Sequence, residues 1–84
     1  MRNKNIIKKK IIYRSNHRGT KEMDLLLGSF TNKHIDDLNN TELRELEILL
    51  NFEDEILYNL YYKKNSKIFN KLKNITKKFR DFKL

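Results

Sequence analysis

The chain has no cysteine, so a disulfide framework, a thiolate nucleophile and a cysteine-bound zinc site are all excluded. Absence of disulfides fits a reducing compartment. Proline and tryptophan are missing too, as are alanine, valine and glutamine. Glycine occurs only at Gly19 and Gly28, a spacing that matches neither the dinucleotide nor the P-loop fingerprint. Apolar runs are a few residues at most, against the roughly 20 that a membrane-spanning helix needs, so no direct membrane insertion is expected. No apolar segment with a small-residue cleavage site follows the basic start MRNKNIIKKK. That start is therefore read as mature protein, and the expected setting is the bacterial cytoplasm.

What is present is lysine, asparagine and isoleucine, 34 of the 84 residues together. Such a bias is what an AT-rich genome produces wherever any polar residue would serve. The net charge of +8 is segregated. Residues 1–21 carry +8, residues 35–60 carry −7 and residues 61–84 carry +8. A basic, acidic, basic layout can neutralise itself on folding, and charge speaks to encounter and solubility rather than to fold. At this length one small domain is expected, burying roughly 60% of its unfolded surface.

Apolar residues recur at helical spacing nearly throughout, with no alternating strand pattern. A weakly patterned first helix spans about 4–16, with Ile7 and Ile11 on one face and Tyr13 near it. Gly19 offers the positive φ that ends a helix cheaply. A second helix, about 20–34, carries Met23, Leu26, Leu27 and Phe30 as a core stripe. Leu25, Gly28 and Ser29 fall on its opposite side. A mid-helix glycine costs about 1 kcal/mol against alanine, so Gly28 signals a close approach on that side. Asn39 and Glu42 form a capping box with Leu38 and Leu43 as its staple, opening a third helix with Leu43, Leu46 and Leu50. Asn51 is expected to cap a fourth helix with acids Glu53, Asp54 and Glu55 at its start and an apolar set of Leu57, Tyr58, Leu60 and Tyr61. Ser66 is expected to cap a fifth, spanning 66–82, with Ile68, Leu72, Ile75, Phe79 and Phe82. The expected fold is an all-α, single-domain bundle of about five short helices over residues 1–84.

Catalytic chemistry finds little purchase. His17 and His34 lack the spacing of a metal pair and read as exposed polar side chains. The carboxylates of residues 36–55 are accounted for by first-turn acids and exposed helix faces. No catalytic, metal or cofactor-binding residue is assigned, and the chain is not expected to be an enzyme. The lysines of the fifth helix read as solvent filler on a last bundle helix rather than as a membrane-surface or phosphate-binding face. Two readings of the region around Gly19 remain. In one, Arg18 merely pairs with Glu22 across a helix–helix turn, in the less favourable orientation for such a pair. In the other, Tyr13, Arg14, His17 and Arg18 crowd one exposed corner, where a rigid guanidinium fork beside glycine projects for docking into another protein.

Arg18-Gly19-x-x-Glu22, followed by Met23-Asp24-Leu25-Leu26-Leu27-Gly28-x-Phe30, resembles the succinate dehydrogenase flavinylation assembly factors, small five-helix proteins with an RGxxE motif. The resemblance continues through Leu38-Asn39-x-x-Glu42 and the acidic turn Glu53-Asp54 with Leu57-Tyr58-Asn59, covering roughly residues 5–62. It implies a non-catalytic helper that binds the flavoprotein subunit of succinate dehydrogenase, or of the related fumarate reductase, and promotes covalent attachment of FAD to a client histidine. FAD would be the client's cofactor, with none held stably by the helper. Arg18, Gly19 and Glu22 would face the client, supported by Asp24 and flanked by His17 and Arg14. Two departures stand out: Thr20 where members often carry Met, and no Trp near Leu60. The alternative, resting on the two basic ends, is a small nucleic-acid-binding helical module. On the assembly-factor reading no nucleic acid is expected as a partner, and the chain is expected to act as a monomer.

Overall fold

The computed structural model describes residues 4–63 and 72–84. Five α-helices occupy them: α1 (Lys4–Ser15), α2 (Lys21–His34), α3 (Asn40–Leu49), α4 (Asp54–Tyr62) and α5 (Lys73–Asp81). No strand occurs among the described residues, as the helical spacing predicts. The expected cap at Ser66 and the core position at Ile68 lie outside the described residues.

The α2 stripe of Met23, Leu26, Leu27 and Phe30 is buried as expected. It joins Leu43, Leu46, Leu49 and Leu50 around α3, Leu57 and Leu60 of α4, and Leu72, Ile75, Phe79 and Phe82 around α5 in one hydrophobic cluster. Phe30 meets the rings of Phe79 and Phe82 edge-on, with centroids 5.2 and 5.5 Å apart, so α2 and α5 interlock through aromatics. The Asn39–Glu42 capping box forms in both directions: Glu42 N–H donates to Asn39 Oδ1 at 2.8 Å, and Asn39 N–H donates to Glu42 Oε1 at 3.1 Å. Leu38 and Leu43 are both buried beside it.

Four local expectations are corrected. Asn51 does not cap α4; Glu53 takes that position without a side-chain cap bond, and Asn51 Oδ1 instead accepts from Arg14. Tyr13 is not near the core but 64% exposed, stacked on His17 with ring centroids 4.0 Å apart. Tyr58 also leaves the core set, at 41% exposure, and meets Tyr62 with the rings tilted by 40°. Conversely, Leu49 is fully buried although it was not in the expected α3 set. The three differences in burial have one cause: helical periodicity gives a direction around the axis, and the neighbouring helices decide how wide a sector is covered.

The back of α2 is covered as Gly28 foretold, but only in part. Leu25 is 57% exposed, whereas Gly28 and Thr31 are buried under α1. Ile11 is the only fully buried apolar side chain of α1, worth roughly 1.5–3 kcal/mol, too little by itself to hold a 12-residue helix in place. Polar ties add to it. Ser15 Oγ donates to Ile11 O at 2.7 Å and lies 2.7 Å from Thr31 Oγ1, a buried hydroxyl pair joining α1 to α2. Just beyond, Asn16 Nδ2 donates to Ile12 O at 2.7 Å, which lays the amide oxygen of Asn16 directly over the Cα of Gly28. A methyl group there would collide with that amide.

Because the obstacle is the end of a movable side chain, Gly28→Ala sets about 1 kcal/mol of helix propensity against about 1 kcal/mol for the displaced hydrogen bond. We expect Gly28→Ala to lie within about 1 kcal/mol of wild type. In an Asn16→Ala background the same change should stabilise by about 1 kcal/mol, measurable by urea unfolding.

Candidate functional site

The segment between α1 and α2 is built from short-range rules. Gly19 has φ +110°, in the region that glycine adopts without strain, and turns the chain sharply. Thr20 follows in extended conformation as N-cap of α2, its Oγ1 accepting from Met23 N–H at 3.3 Å. Glu22 therefore sits at the second helical position and Asp24 at the fourth, both acids where the helix dipole favours them. The carboxylate of Asp24 accepts the backbone N–H of Arg18, closing the turn on itself.

Arg18 does not project. Its side chain is only 11% exposed, and the guanidinium reaches into the connection between α3 and α4. Nη1 donates to Leu50 O at 2.6 Å, Nη2 to Phe52 O at 2.7 Å, and Nε to Asp54 Oδ1 at 3.0 Å. Leu50 is the C-cap of α3 and Asp54 opens α4. One cation thus meets carbonyls at the negative end of one helix and a carboxylate at the positive end of the next. Arg14 makes the parallel tie to Asn51 of the same connection. This corrects both readings of Arg18. The pairing with Glu22 four residues on is not made, and the fork that a neighbouring glycine would leave free is engaged in the fold.

What does face outward is the rim of the same corner. Glu22 is exposed, with no ion pair among the described residues. Open space surrounds Gly19, where an added Cβ would find nothing within 4 Å. His17 is exposed as expected, its Nδ1 2.7 Å from Tyr13 O and its ring stacked on Tyr13. Of the predicted residues, the structure brings Arg14, Arg18 and Asp24 together as framework and sets His17, Gly19 and Glu22 around them. The sequence reading missed Asp54 and the Leu50 and Phe52 carbonyls as the partners of Arg18. Their separation of 32 to 36 residues leaves no periodic signal, and Asp54 reads locally as a first-turn acid.

At the far end of α2, His34 departs from the expected exposed side chain. It is half-buried, with its ring 4.9 Å from that of Phe30 and 6.1 Å from that of Phe82. Burial, followed by the nearby Lys33 and Lys78, lowers its pKa from the ordinary value, against the opposing pull of Asp37 and Glu42. Among the described residues no group of histidines and carboxylates could hold a metal ion, and no helix is long and apolar enough to cross a membrane.

Loss of the Arg18 fork removes three charge-assisted hydrogen bonds and strands Asp54. Arg18→Ala should therefore cost about 2–4 kcal/mol in urea unfolding. Arg18→Lys should recover only part, because an ammonium has no planar fork to span three acceptors. A histidine pKa that is lower in the folded state means that the unfolded chain takes up the proton first. The His34 contribution is thus complete above its unfolded value, about 6.5, and is lost as pH falls through the window below it. His34→Gln should flatten that part of the stability–pH curve.

The family described as flavinator of succinate dehydrogenase matches residues 9–83, which includes the whole corner. A protein of Candida glabrata named succinate dehydrogenase assembly factor 2, mitochondrial, is 40% identical over 89 aligned positions, covering 95% of this chain and 56% of that protein. Its namesake in Dictyostelium discoideum is 41% identical over 58 residues, 69% of this chain and 41% of that one. The FAD assembly factor SdhE of Acetobacter pasteurianus is 36% identical over 47 residues, 56% of this chain and 43% of that protein. The chain thus spans about half the length of the curated relatives it matches. No solved structure matches it significantly. Nothing among these relatives favours the nucleic-acid alternative. By the extent of the family match, the chain belongs to the flavinators of succinate dehydrogenase.

Proposed function

We propose that this chain is a non-catalytic assembly factor that binds the flavoprotein subunit of succinate dehydrogenase, or of the related fumarate reductase, and promotes covalent attachment of FAD to a client histidine. Membership of the family supports this reading, as do the names of the relatives. The single observation that carries the docking site is the α1–α2 corner, where an exposed rim of His17, Gly19 and Glu22 stands on a frame locked by Arg18, Arg14 and Asp24. A surface rigid before contact loses little conformational freedom on binding. Open space at Gly19 lets a partner approach the backbone itself. In this account Arg18 serves the client by holding the corner in shape, and Glu22 makes the outward charged contact.

A helper of this kind acts through higher affinity for the client conformer competent to bond its flavin. FAD is the client's cofactor, and the chain acts as a monomer with none of its own. We place it where that client matures, the bacterial cytoplasm on the sequence reading, although two of the three relatives named above are mitochondrial.

The test is co-expression with the flavoprotein subunit, scoring covalent flavin by in-gel fluorescence after denaturation. Gly19→Arg fills the open space but also carries about 1–2 kcal/mol of backbone strain, so Glu22→Arg, which has none, is scored beside it. Both should lower covalent flavin about tenfold or more while the free proteins stay helical. Wild-type levels of covalent flavin with both variants would show that the corner does not dock the client.

A further inference from the structure

A groove of about 610 Å³ lies between the end of α2, the start of α3 and the outer face of α5. Lys33, Lys77, Lys78 and Lys83 line it with His34 and Phe82, and two carboxylates, Glu42 and Asp81, share the wall. Asp81 is exposed, whereas Glu42 is the less available of the two acids. It is buried, with Oε1 in the α3 capping box and Oε2 3.6 Å from Lys78 Nζ. Lys33 Nζ lies 5.7 Å from the centre of the Phe82 ring. Lys77 and Lys83 are exposed and make no ion pair among the described residues. The result is a cationic trough with an aromatic floor, at the opposite end of α2 from Gly19. Fourteen residues of helix separate the two, about 20 Å.

The donors here discriminate between kinds of anion. Phosphate sites are commonly built on free backbone N–H groups at helix N-termini. Beside this groove three such groups are already engaged: Asn39 and Glu42 N–H in the capping box, and Ile75 N–H with Glu45 Oε1 at 3.2 Å. Among the described residues, no arginine lines the groove to grip a phosphate with two parallel bonds. Prominent here instead are lysines, mobile point charges, around one apolar ring, that of Phe82. That combination suits carboxylates carried on a chain with apolar side chains between them.

We propose that the α2–α5 groove is a second docking site, for an acidic and partly apolar polypeptide segment of a protein partner. It rests on the reading of this chain as a partner-binding factor, but on a surface separate from the corner. Two contacts 20 Å apart on one helix would fix the orientation of a partner as one contact cannot, and would multiply affinity through effective concentration.

The experiment titrates the isolated full chain, labelled for NMR, with a short synthetic peptide of alternating glutamate and leucine, and in a parallel arm with inorganic pyrophosphate. The peptide is expected to bind at low salt, to shift the resonances of His34, Lys77 and Lys83, and to weaken as salt rises. A Lys77→Glu, Lys83→Glu double variant should bind it about tenfold more weakly or not at all, while Glu22→Arg binds it as wild type. The groups facing His34 are Lys33 and Asp37 near its own end of α2, Glu42 on α3 and Lys78 on α5. Added carboxylates favour its charged form, so the bound peptide should raise the His34 midpoint and bind more tightly as pH falls. Binding of pyrophosphate but not peptide would overturn the proposal in favour of a small-anion site. So would concentration-dependent self-association that the double variant abolishes, since the occupant would then be the acidic middle of a second copy. Equal peptide affinity in wild type and double variant would remove the groove altogether. Because this readout needs no flavin chemistry, its failure leaves the flavinylation test untouched.

Discussion

Arg18 is the residue on which the α1–α2 corner depends. Its guanidinium joins three places that the chain reaches separately: the end of α3, the connection after it and the start of α4. Helix ends leave carbonyls without partners, and a turn between two helices needs something to satisfy them away from bulk water. A planar cation with donors pointing in several directions meets that need, and its largely buried position makes the bonds stronger than they would be at the surface. Its own backbone N–H is held by Asp24, so α2 is tied to the same knot. The glycine that follows lets the chain leave this knot abruptly, and the outward rim inherits its shape from contacts made inside.

The charge segregation has a comparable logic. Three ion pairs join a basic end of the chain to its acidic middle: Lys8 with Asp36 at 3.2 Å, Arg18 with Asp54, and Lys78 with Glu42. Self-neutralisation therefore accounts for part of the layout. The exposed Lys8–Asp36 pair contributes little to stability, since water screens it, while the Arg18 and Glu42 pairs sit where hydrogen bonds reinforce them. Of the lysines outside these pairs, Lys77 on α5 and Lys83 just after it are exposed near the C-terminal end of α2, while Lys9, Lys10 and Lys21 are exposed on α1 and at the start of α2. The two ends of α2 thus differ in character: one presents an acid over a rigid frame, the other a lysine-rimmed trough with an aromatic floor.

Much of the fold was legible because helix signals are local. The α2 stripe, the Asn39–Glu42 box, the steps of α5 and the positive φ of Gly19 all follow from residues within one or two turns of each other. Gly28 was legible too, as a helix position that tolerates glycine only for a reason. The identity of its neighbour was not, because Asn16 carries no sign of where its amide will lie. Tyr13 and Tyr58 were misplaced for the complementary reason: both are amphipathic, and whether the ring is covered depends on a neighbouring helix that periodicity does not place. His34 was read as surface because its surroundings, Phe30, Phe82 and two lysines, converge from two helices.

The corner shows the division most plainly. Local chemistry, by itself, determined that a helix must stop before Gly19, that another must start just after Thr20, and that Arg18, Glu22 and Asp24 must lie close together around that break. It also supplied the Arg18-Gly19-x-x-Glu22 pattern on which the resemblance to the flavinylation assembly factors rests. Only the tertiary structure decided which of these side chains turn in and which turn out. Arg18 had a possible partner four residues away, yet a partly exposed pair of that kind gains little. Three acceptors converging more than 30 residues downstream offer a desolvated cation far more. Hydrogen bonds over such a separation exist only once α3 and α4 have packed, and that is why the role of Arg18 belongs to the folded molecule and not to the motif.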